Sequence, residues 1–201
     1  MSYLKKRVIQ EGRVLEGNVL RVDSFLNHQI DPVVIREVQK EFSAYFRHKP
    51  ITKIVTIEAS GIAPALMVAA DFGVPMVFAK KAMPSAISHT GKYATQVHSY
   101  TKNTTYDVLI SKEYISPDDH VLVIDDFLAN GAAAMGLVNL VEQAGASVSG
   151  VGICIEKAFQ PGREILQAHG LDVFSICRIA SLDNQKVTFV EDVVDAKTET
   201  I

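Results

Sequence analysis

Apolar residues recur along this chain with two periods, one typical of helices and one typical of buried strands. In residues 31–48 they return every three or four positions, behind an aspartate and a proline that commonly start a helix. The run ITKIVTI (51–57) is almost continuously apolar and β-branched, which favours a buried strand. A further helix is predicted over 62–72, where Gly73 would end it.

The same alternation continues to the end of the chain. Helices are also predicted at Tyr3–Glu11, 132–144 and 162–170, and strands at 74–81, 94–101, 106–111, 120–124, 148–156, 173–180 and 186–192. The strands at 94–101 and 106–111 are expected to be antiparallel. The polar stretch 82–92 predicts a long mobile loop, and residues 195–201 are expected to fray. Strands that alternate with helices predict one α/β domain over 1–201, with a mainly parallel central sheet flanked by helices.

Composition and charge indicate which kinds of partner and which cellular location to expect. The chain has 201 residues, 48% of them hydrophobic, and a formal net charge of −3, so it predicts one core and no nucleic-acid or membrane partner. No apolar run reaches the length of a membrane span, and the charged N-terminus does not resemble a signal sequence. Cys154 and Cys177 lie far apart in apolar segments, which predicts reduced thiols and a cytoplasmic location. The histidines have no metal-site spacing, so no protein metal site is predicted.

Three unusual segments follow predicted strands, and the carboxyl ends of parallel strands meet at one edge of a sheet. They are EASG (58–61), the lysines of AKK (79–81), and DDFLANGAA (125–133). The last opens with Asp125 and Asp126, two adjacent carboxylates that repel each other. Either this pair is an ordinary solvated turn, or a bound molecule needs both acids.

The residues after the acid pair suggest what that molecule is. Small side chains at 130–133 let backbone N–H groups at a helix start approach an anion, although an ordinary tight turn has the same composition. The spacing of Gly131 and Gly136 does not match a dinucleotide site, and the lysine of a P-loop is missing. A monophosphate on the turn and sugar hydroxyls on the acids predict a ribose 5-phosphate site.

This motif resembles the signature with which type I phosphoribosyltransferases bind 5-phosphoribosyl 1-diphosphate (PRPP). The strings VLRVDSFLNHQIDP, IVTIEASGIAPA, IDDFLANG and IEKAFQPGRE are together similar to the bacterial xanthine phosphoribosyltransferases. The resemblance covers most of the chain. It implies the type I phosphoribosyltransferase fold, with a core of about 31–155, a mobile loop, and a small hood built from about 1–30 and 156–195.

The resemblance also implies roles for individual residues. Asp125 and Asp126 would hold the ribose hydroxyls, and a cis peptide bond is expected near Ala59–Ser60. Lys157 would face the oxygen at purine C6, which favours 6-oxo purines, while Leu20 and Asn27 would contact xanthine. The implied PRPP-binding residues are Glu58, Ala59, Ser60, Gly61, Lys80, Lys81, Ala129, Asn130, Gly131, Ala132 and Ala133.

The implied reaction is xanthine plus PRPP giving XMP and pyrophosphate, in a homodimer, with Mg²⁺ held mainly by PRPP. The loop 82–92 would close over the diphosphate, where Lys92 would add charge. Hypoxanthine-guanine relatives carry an aspartate where this chain has Ala129, so the proton of the purine ring must go to another group or to solvent, or xanthine reacts already ionised. A hypoxanthine-guanine phosphoribosyltransferase is one alternative. The other is a PRPP-sensing transcription regulator without catalysis, although the first 30 residues are too short for a DNA-binding domain.

Overall fold

The computed structural model describes residues 1–83, 90–99 and 104–191. The helices are α1 (Tyr3–Glu11), α2 (Pro32–Phe46), α3 (Ile62–Phe72), α4 (Ala132–Gln143) and α5 (Gly162–Ala168). The strands are β1 (Arg13–Leu15), β2 (Val19–Arg21), β3 (Lys53–Ile57), β4 (Met76–Ala82), β5 (Lys92–Ser99), β6 (Thr104–Ser111), β7 (His120–Leu128), β8 (Ser147–Lys157), β9 (Val173–Ser181) and β10 (Thr188–Phe189). A short π-helical turn spans Asp23–Asn27.

Local capping sets the helix boundaries that the sequence predicted. The carboxylate of Asp31 accepts the Val33 N–H at 2.8 Å and so caps α2. At the other end of α3, Gly73 adopts a left-handed conformation with φ of 68°, which a side chain would disfavour. The predictions for α1, α2 and α3 are confirmed within one or two residues.

The central sheet has the strand order β10-β9-β8-β7-β3-β4-β6-β5 among the described residues. The five strands from β9 to β4 are parallel, whereas β6, β5 and β10 pair antiparallel with their neighbours. Helices α2 and α3 cover one face, where Phe42 and Ile124 are fully buried, and α4 covers the other, where Leu137 and Val123 are fully buried. The mainly parallel α/β prediction, including the antiparallel pair β5–β6, is confirmed.

Strand β7 is longer than the sequence predicted. It was expected to end at 124, because aspartate is uncommon inside strands, yet it continues to Leu128. Its pairing with β8 runs as far as Leu128 opposite Glu156, whereas its recorded pairing with β3 stops at Val123. Beyond Val123 the pairing of β7 therefore continues with β8, and the two acids lie in this part of the strand.

Other differences concern the two ends of the chain. The hairpin β1–β2 was not predicted; its turn places Gly17 and Asn18 at φ of 75° and 58°. Strand β10 covers two residues of the predicted 186–192. Residues 84–89 of the predicted loop, and the segment 195–201 that was expected to fray, lie outside the described residues. Among the residues that are described, no helix is long and apolar enough to cross a membrane.

Candidate active site

The acid pair at the end of β7 is buried. Asp125 is 4% exposed and Asp126 is 8% exposed, and the backbone N–H of Asp126 donates to Asp125 Oδ1 at 3.0 Å. Burial raises the pKa of Asp125 well above its ordinary value, and the neighbouring Asp126 raises it further, while the charge of Lys81 opposes both. Two acids held out of water with so little positive charge nearby favour binding of hydroxyl donors or a cation.

The loop 58–61 lies directly against the acid pair. Its cis peptide bond joins Glu58 and Ala59, one bond before the expected position near Ala59–Ser60. A side chain added at Gly61 would overlap the hydroxyl of Thr56 and lie 3.1 Å from Asp125 Oδ1. Glycine is therefore required for this loop to approach the acid so closely. The structure brings together the loop and the acid that the sequence assigned to one site.

The turn after β7 has the form of an anion cradle. The side-chain oxygen of Asn130 accepts the Ala132 N–H at 3.0 Å, and Gly131 precedes α4 with a left-handed φ of 87°. The first amides of a helix lack partners within the helix, and its dipole favours negative charge at this end. The predicted phosphate-binding residues, including Ala129 and Ala133, are therefore grouped at the start of α4.

The turn after β7 is supported by a residue that the sequence did not single out. The N–H of Gly162, at the start of α5, donates to the Ala129 carbonyl at 3.0 Å. A side chain at Gly131 would come within 3.0 Å of the Gly162 Cα, and one at Gly162 would overlap the Ala129 carbonyl oxygen. Two glycines thus permit a direct contact between the turn and α5. Its signal in the sequence is the Pro-Gly pair before the helix.

The two adjacent lysines of β4 diverge, as consecutive strand residues do. Lys81 has its ammonium 5.5 Å from the centre of the Tyr106 ring, and its backbone N–H donates to Glu58 at 2.8 Å. The charge of Lys81 also lowers the pKa of Asp125, so Lys81 lies near the acids. Lys80 instead lines a groove of about 810 Å³ together with Lys92. Its assignment to PRPP stays a prediction.

The predicted purine contacts lie around the N-terminal hairpin. The Lys157 ammonium donates to the Asn18 carbonyl at 2.8 Å, and burial lowers the pKa of Lys157. Leu20 is buried two residues further along the same hairpin. The side-chain oxygen of Asn27 is buried and, among the described residues, has no hydrogen-bond partner. Phe159, two residues beyond Lys157, has a side chain that is 39% exposed.

An ion-pair network that the sequence analysis missed lies next to Lys157. Glu156 is 1% exposed, and the guanidinium of Arg163 donates to it at 2.6, 2.9 and 3.0 Å. Arg178 adds a bond of 3.2 Å. Burial alone would raise the pKa of Glu156, but hydrogen bonds from Arg163 and Ser175 lower it. This network fixes the start of α5, and hence Gly162, to β8.

No protein-family model matches the chain. It is 55% identical over 190 residues to the xanthine phosphoribosyltransferase of Macrococcus caseolyticus, covering 94% of this chain and 97% of the relative. It is 54% identical over 191 residues to the enzyme of that name from Bacillus cytotoxicus, covering 95% and 96%.

Solved adenine phosphoribosyltransferases share the fold. The structure from Giardia lamblia, in complex with 9-deazaadenine, aligns with a TM-score of 0.72 at 22% identity, covering 89% of this chain and 98% of that one. The structure from Rhodothermus marinus aligns with a TM-score of 0.71 at 23% identity, covering 88% and 98%.

Proposed function

Because this chain belongs to the xanthine phosphoribosyltransferase family, we propose that it transfers the 5-phosphoribosyl group from PRPP to N9 of xanthine. The products are XMP and pyrophosphate, and the reaction serves purine salvage. The observation that carries the proposal is the buried pair of adjacent acids beside a helix start suited to an anion. One molecule that suits both features is a ribose 5-phosphate.

The acid pair and the turn would hold the ribose 5-phosphate between them. Hydroxyls at C2 and C3 donate to the carboxylates of Asp125 and Asp126, which gives these buried acids the donors that the protein supplies only sparsely. The 5-phosphate lies on the amides at the start of α4. Carboxylates held near C1 stabilise the positive charge that develops as the bond to diphosphate breaks, so catalysis rests on positioning and electrostatics.

The leaving diphosphate would lie on the loop 58–61 and near Lys81. Magnesium enters as part of the substrate, and when bound to PRPP it neutralises charge on the leaving group. We infer that this magnesium ion is held mainly by PRPP. The protein would then contribute the acid pair, the Lys81 ammonium and the loop amides.

Base recognition would come from the hairpin and from Lys157. The Asn18 carbonyl holds the Lys157 ammonium at 2.8 Å, so the lysine is directed before a purine arrives and could donate to its C6 oxygen. The Asn27 side-chain oxygen, which has no hydrogen-bond partner within the described part of the chain, suits an N–H of the purine ring. Alanine at position 129 cannot receive the purine proton, so that proton goes to another group or to solvent, or xanthine reacts as its anion.

We also infer that the protein forms a homodimer and resides in the cytoplasm. Leu66 and Met67 on α3 and Phe78 on β4 are large apolar side chains that are 55%, 37% and 38% exposed, as side chains at a contact between subunits often are. Cys154 and Cys177 are free and buried, which supports a reducing compartment.

The test is a panel of purine bases incubated with PRPP and Mg²⁺ and scored for nucleotide formation. We expect xanthine to be strongly preferred. In Lys157→Ala the KM for xanthine should rise about 10- to 100-fold, the range for a lost charge-assisted hydrogen bond, with an unchanged KM for PRPP. Lys186→Ala, which removes an exposed lysine, is the matched control. Preference for guanine or hypoxanthine would support the hypoxanthine-guanine alternative, and PRPP binding without turnover would support a regulator.

A further inference from the structure

A buried hydroxyl with no hydrogen-bond partner among the described residues lies below the proposed diphosphate loop. Thr56, in β3, is fully buried. Its Oγ1 makes no hydrogen bond to any residue in the described part of the chain. Most buried hydroxyls are hydrogen-bonded, because an unsatisfied one is destabilising. A chain that keeps threonine here, where valine has nearly the same shape, therefore calls for an explanation.

The surroundings of the hydroxyl indicate what it would bind. Three oxygen atoms surround the position that a Gly61 side chain would occupy: Thr56 Oγ1, Asp125 Oδ1 and the Ile57 carbonyl. A carbonyl and a carboxylate only accept hydrogen bonds, so the threonine is the one member of this trio that can donate. Since bonds to ionised acceptors are the stronger ones, the carboxylate of Asp125 is the preferred acceptor.

We propose that Thr56 is a positioning residue whose hydroxyl donates to the Asp125 carboxylate when PRPP is bound, holding that acid toward the ribose. This inference rests on the proposed function, because it assigns Asp125 to the ribose hydroxyls. Thr56 itself is too deeply buried to touch the substrate. It acts from beneath the loop, on the side of Gly61 where Asp125 Oδ1 also lies.

The charges that surround Asp125 determine whether this acid is ionised, and hence whether it accepts the hydrogen bond from Thr56. Asp126 raises the pKa of Asp125, Lys81 lowers it, and Tyr106 and Cys154 also lie within its electrostatic reach. Sugar hydroxyls that approach the pair stabilise the ionised acid. The threonine bond adds to this stabilisation only in the complex, so its loss would weaken PRPP binding without destabilising the protein alone.

The experiment compares Thr56→Val with Thr56→Ser. We measure the melting temperature of each purified protein, its increase with PRPP and Mg²⁺, and the KM values for PRPP and xanthine. Valine keeps the shape and removes the donor, so the protein alone should melt about 2–4 °C higher, while the KM for PRPP rises about 10-fold or more. The KM for xanthine should change less than twofold. Serine keeps the donor and should retain a KM for PRPP within about threefold of wild type.

Contrary results separate the role of the Thr56 hydroxyl from the proposed function. A Thr56→Val protein with an unchanged KM for PRPP would overturn the role of the hydroxyl. So would Thr56→Ser that binds PRPP as poorly as Thr56→Val, because the lost methyl contacts would then be responsible. If PRPP with Mg²⁺ fails to raise the melting temperature of the wild-type protein and no base yields a nucleotide, the proposed function itself is wrong, and the role of Thr56 with it.

Discussion

One Asp-Asp pair precedes strand β7 and a second lies near its end, and the two pairs differ in their hydrogen-bond partners and in the direction in which folding shifts the pKa of one acid in each. Asp118 and Asp119 precede the strand, and Asp125 and Asp126 lie near its end. Asp119 is 8% exposed and accepts hydrogen bonds from Lys53 at 2.7 Å and from Thr52 at 3.0 Å. Although burial alone would raise the pKa of Asp119, these bonds and those from Ser116 lower it. For Asp125 burial prevails, and its pKa is raised.

The difference teaches how to separate a structural acid from a functional one. Asp119 is buried with its partners, so the fold accounts for it completely. Asp125 is buried against another acid, an arrangement that is unfavourable until a ligand supplies donors or positive charge. Glu156 lies beside the candidate site, but it accepts hydrogen bonds from two arginines. Like Asp119, it is a buried acid whose partners are supplied by the fold.

The strongest test removes the charge of the functional pair. In the double variant Asp125→Asn/Asp126→Asn, XMP formation should fall about 1,000-fold or more, because two charge-assisted hydrogen bonds are weakened. The melting temperature should rise, because a buried repulsion disappears. Steady-state kinetics and a thermal melt of the same preparation check both. Turnover within a few-fold of wild type would contradict the ribose assignment.

The matched control removes the charge of the structural pair. Asp118→Asn/Asp119→Asn should lower the free energy of unfolding by about 3 kcal/mol, because Lys53 then stays partly buried without its partner. The KM for PRPP should stay within about twofold of wild type, since this pair lies at the opposite end of β7. Chemical denaturation measures the first quantity. A large rise in KM with intact stability would show that the two pairs are not distinct in role.

The adjacent lysines Lys80 and Lys81 test which positive charge acts on Asp125 and Asp126. Lys81→Met removes the cation near Asp125, and we expect the KM for PRPP to rise about 10-fold, as for a modest charge-assisted contact. Lys80→Met, its neighbour on the groove side, should change that KM less than twofold. Both variants are assayed at saturating xanthine. Equal losses would show that Lys80 reaches the diphosphate as well, which was the expectation from the resemblance.

The smallest effect is the pH dependence of stability. The ordinary pKa of an aspartate is 3.8, and folding raises the pKa of Asp125 well above it. Wild-type stability therefore falls as the pH rises from 3.8 toward the pKa of Asp125 in the folded protein. The melting temperature of Asp125→Asn should therefore exceed that of wild type by a margin that grows with pH. Folding lowers the pKa of Asp119, so its contribution is present above the unfolded pKa and is lost as the pH falls. Asp119→Asn should melt below wild type, by a margin that shrinks on acidification.

The sequence predicted most elements because their signals are local. Apolar periodicity, the Asp31 cap and Gly73 fix α2 and α3 without reference to distant residues. It placed the end of β7 too early because pairing with β8 overrides the low strand preference of aspartate. The short hairpin β1–β2 was missed, although the Gly-Asn pair at its turn is a known signal.

The candidate site was predictable in outline and less so in detail. The acids, the turn and the loop 58–61 are recognisable from their composition, and the resemblance implied their roles. That Lys80 and Lys81 diverge follows from strand alternation and could have been foreseen. The contact of Gly162 with Ala129 depends on tertiary packing, which no local pattern encodes. The same holds for the Thr56 hydroxyl, which has no partner in the part of the chain that the structure describes.

The contact between the phosphate turn and α5 has a consequence for protein engineering. The segment from Lys157 to Gly162 begins at the proposed purine lysine and ends on the carbonyl of Ala129. Its ends are fixed by β8 on one side and by a glycine that tolerates no side chain on the other. A redesign of base preference can therefore vary residues 158–161 but cannot change their number. An insertion there would displace Gly162 and with it the turn that is proposed to bind the 5-phosphate.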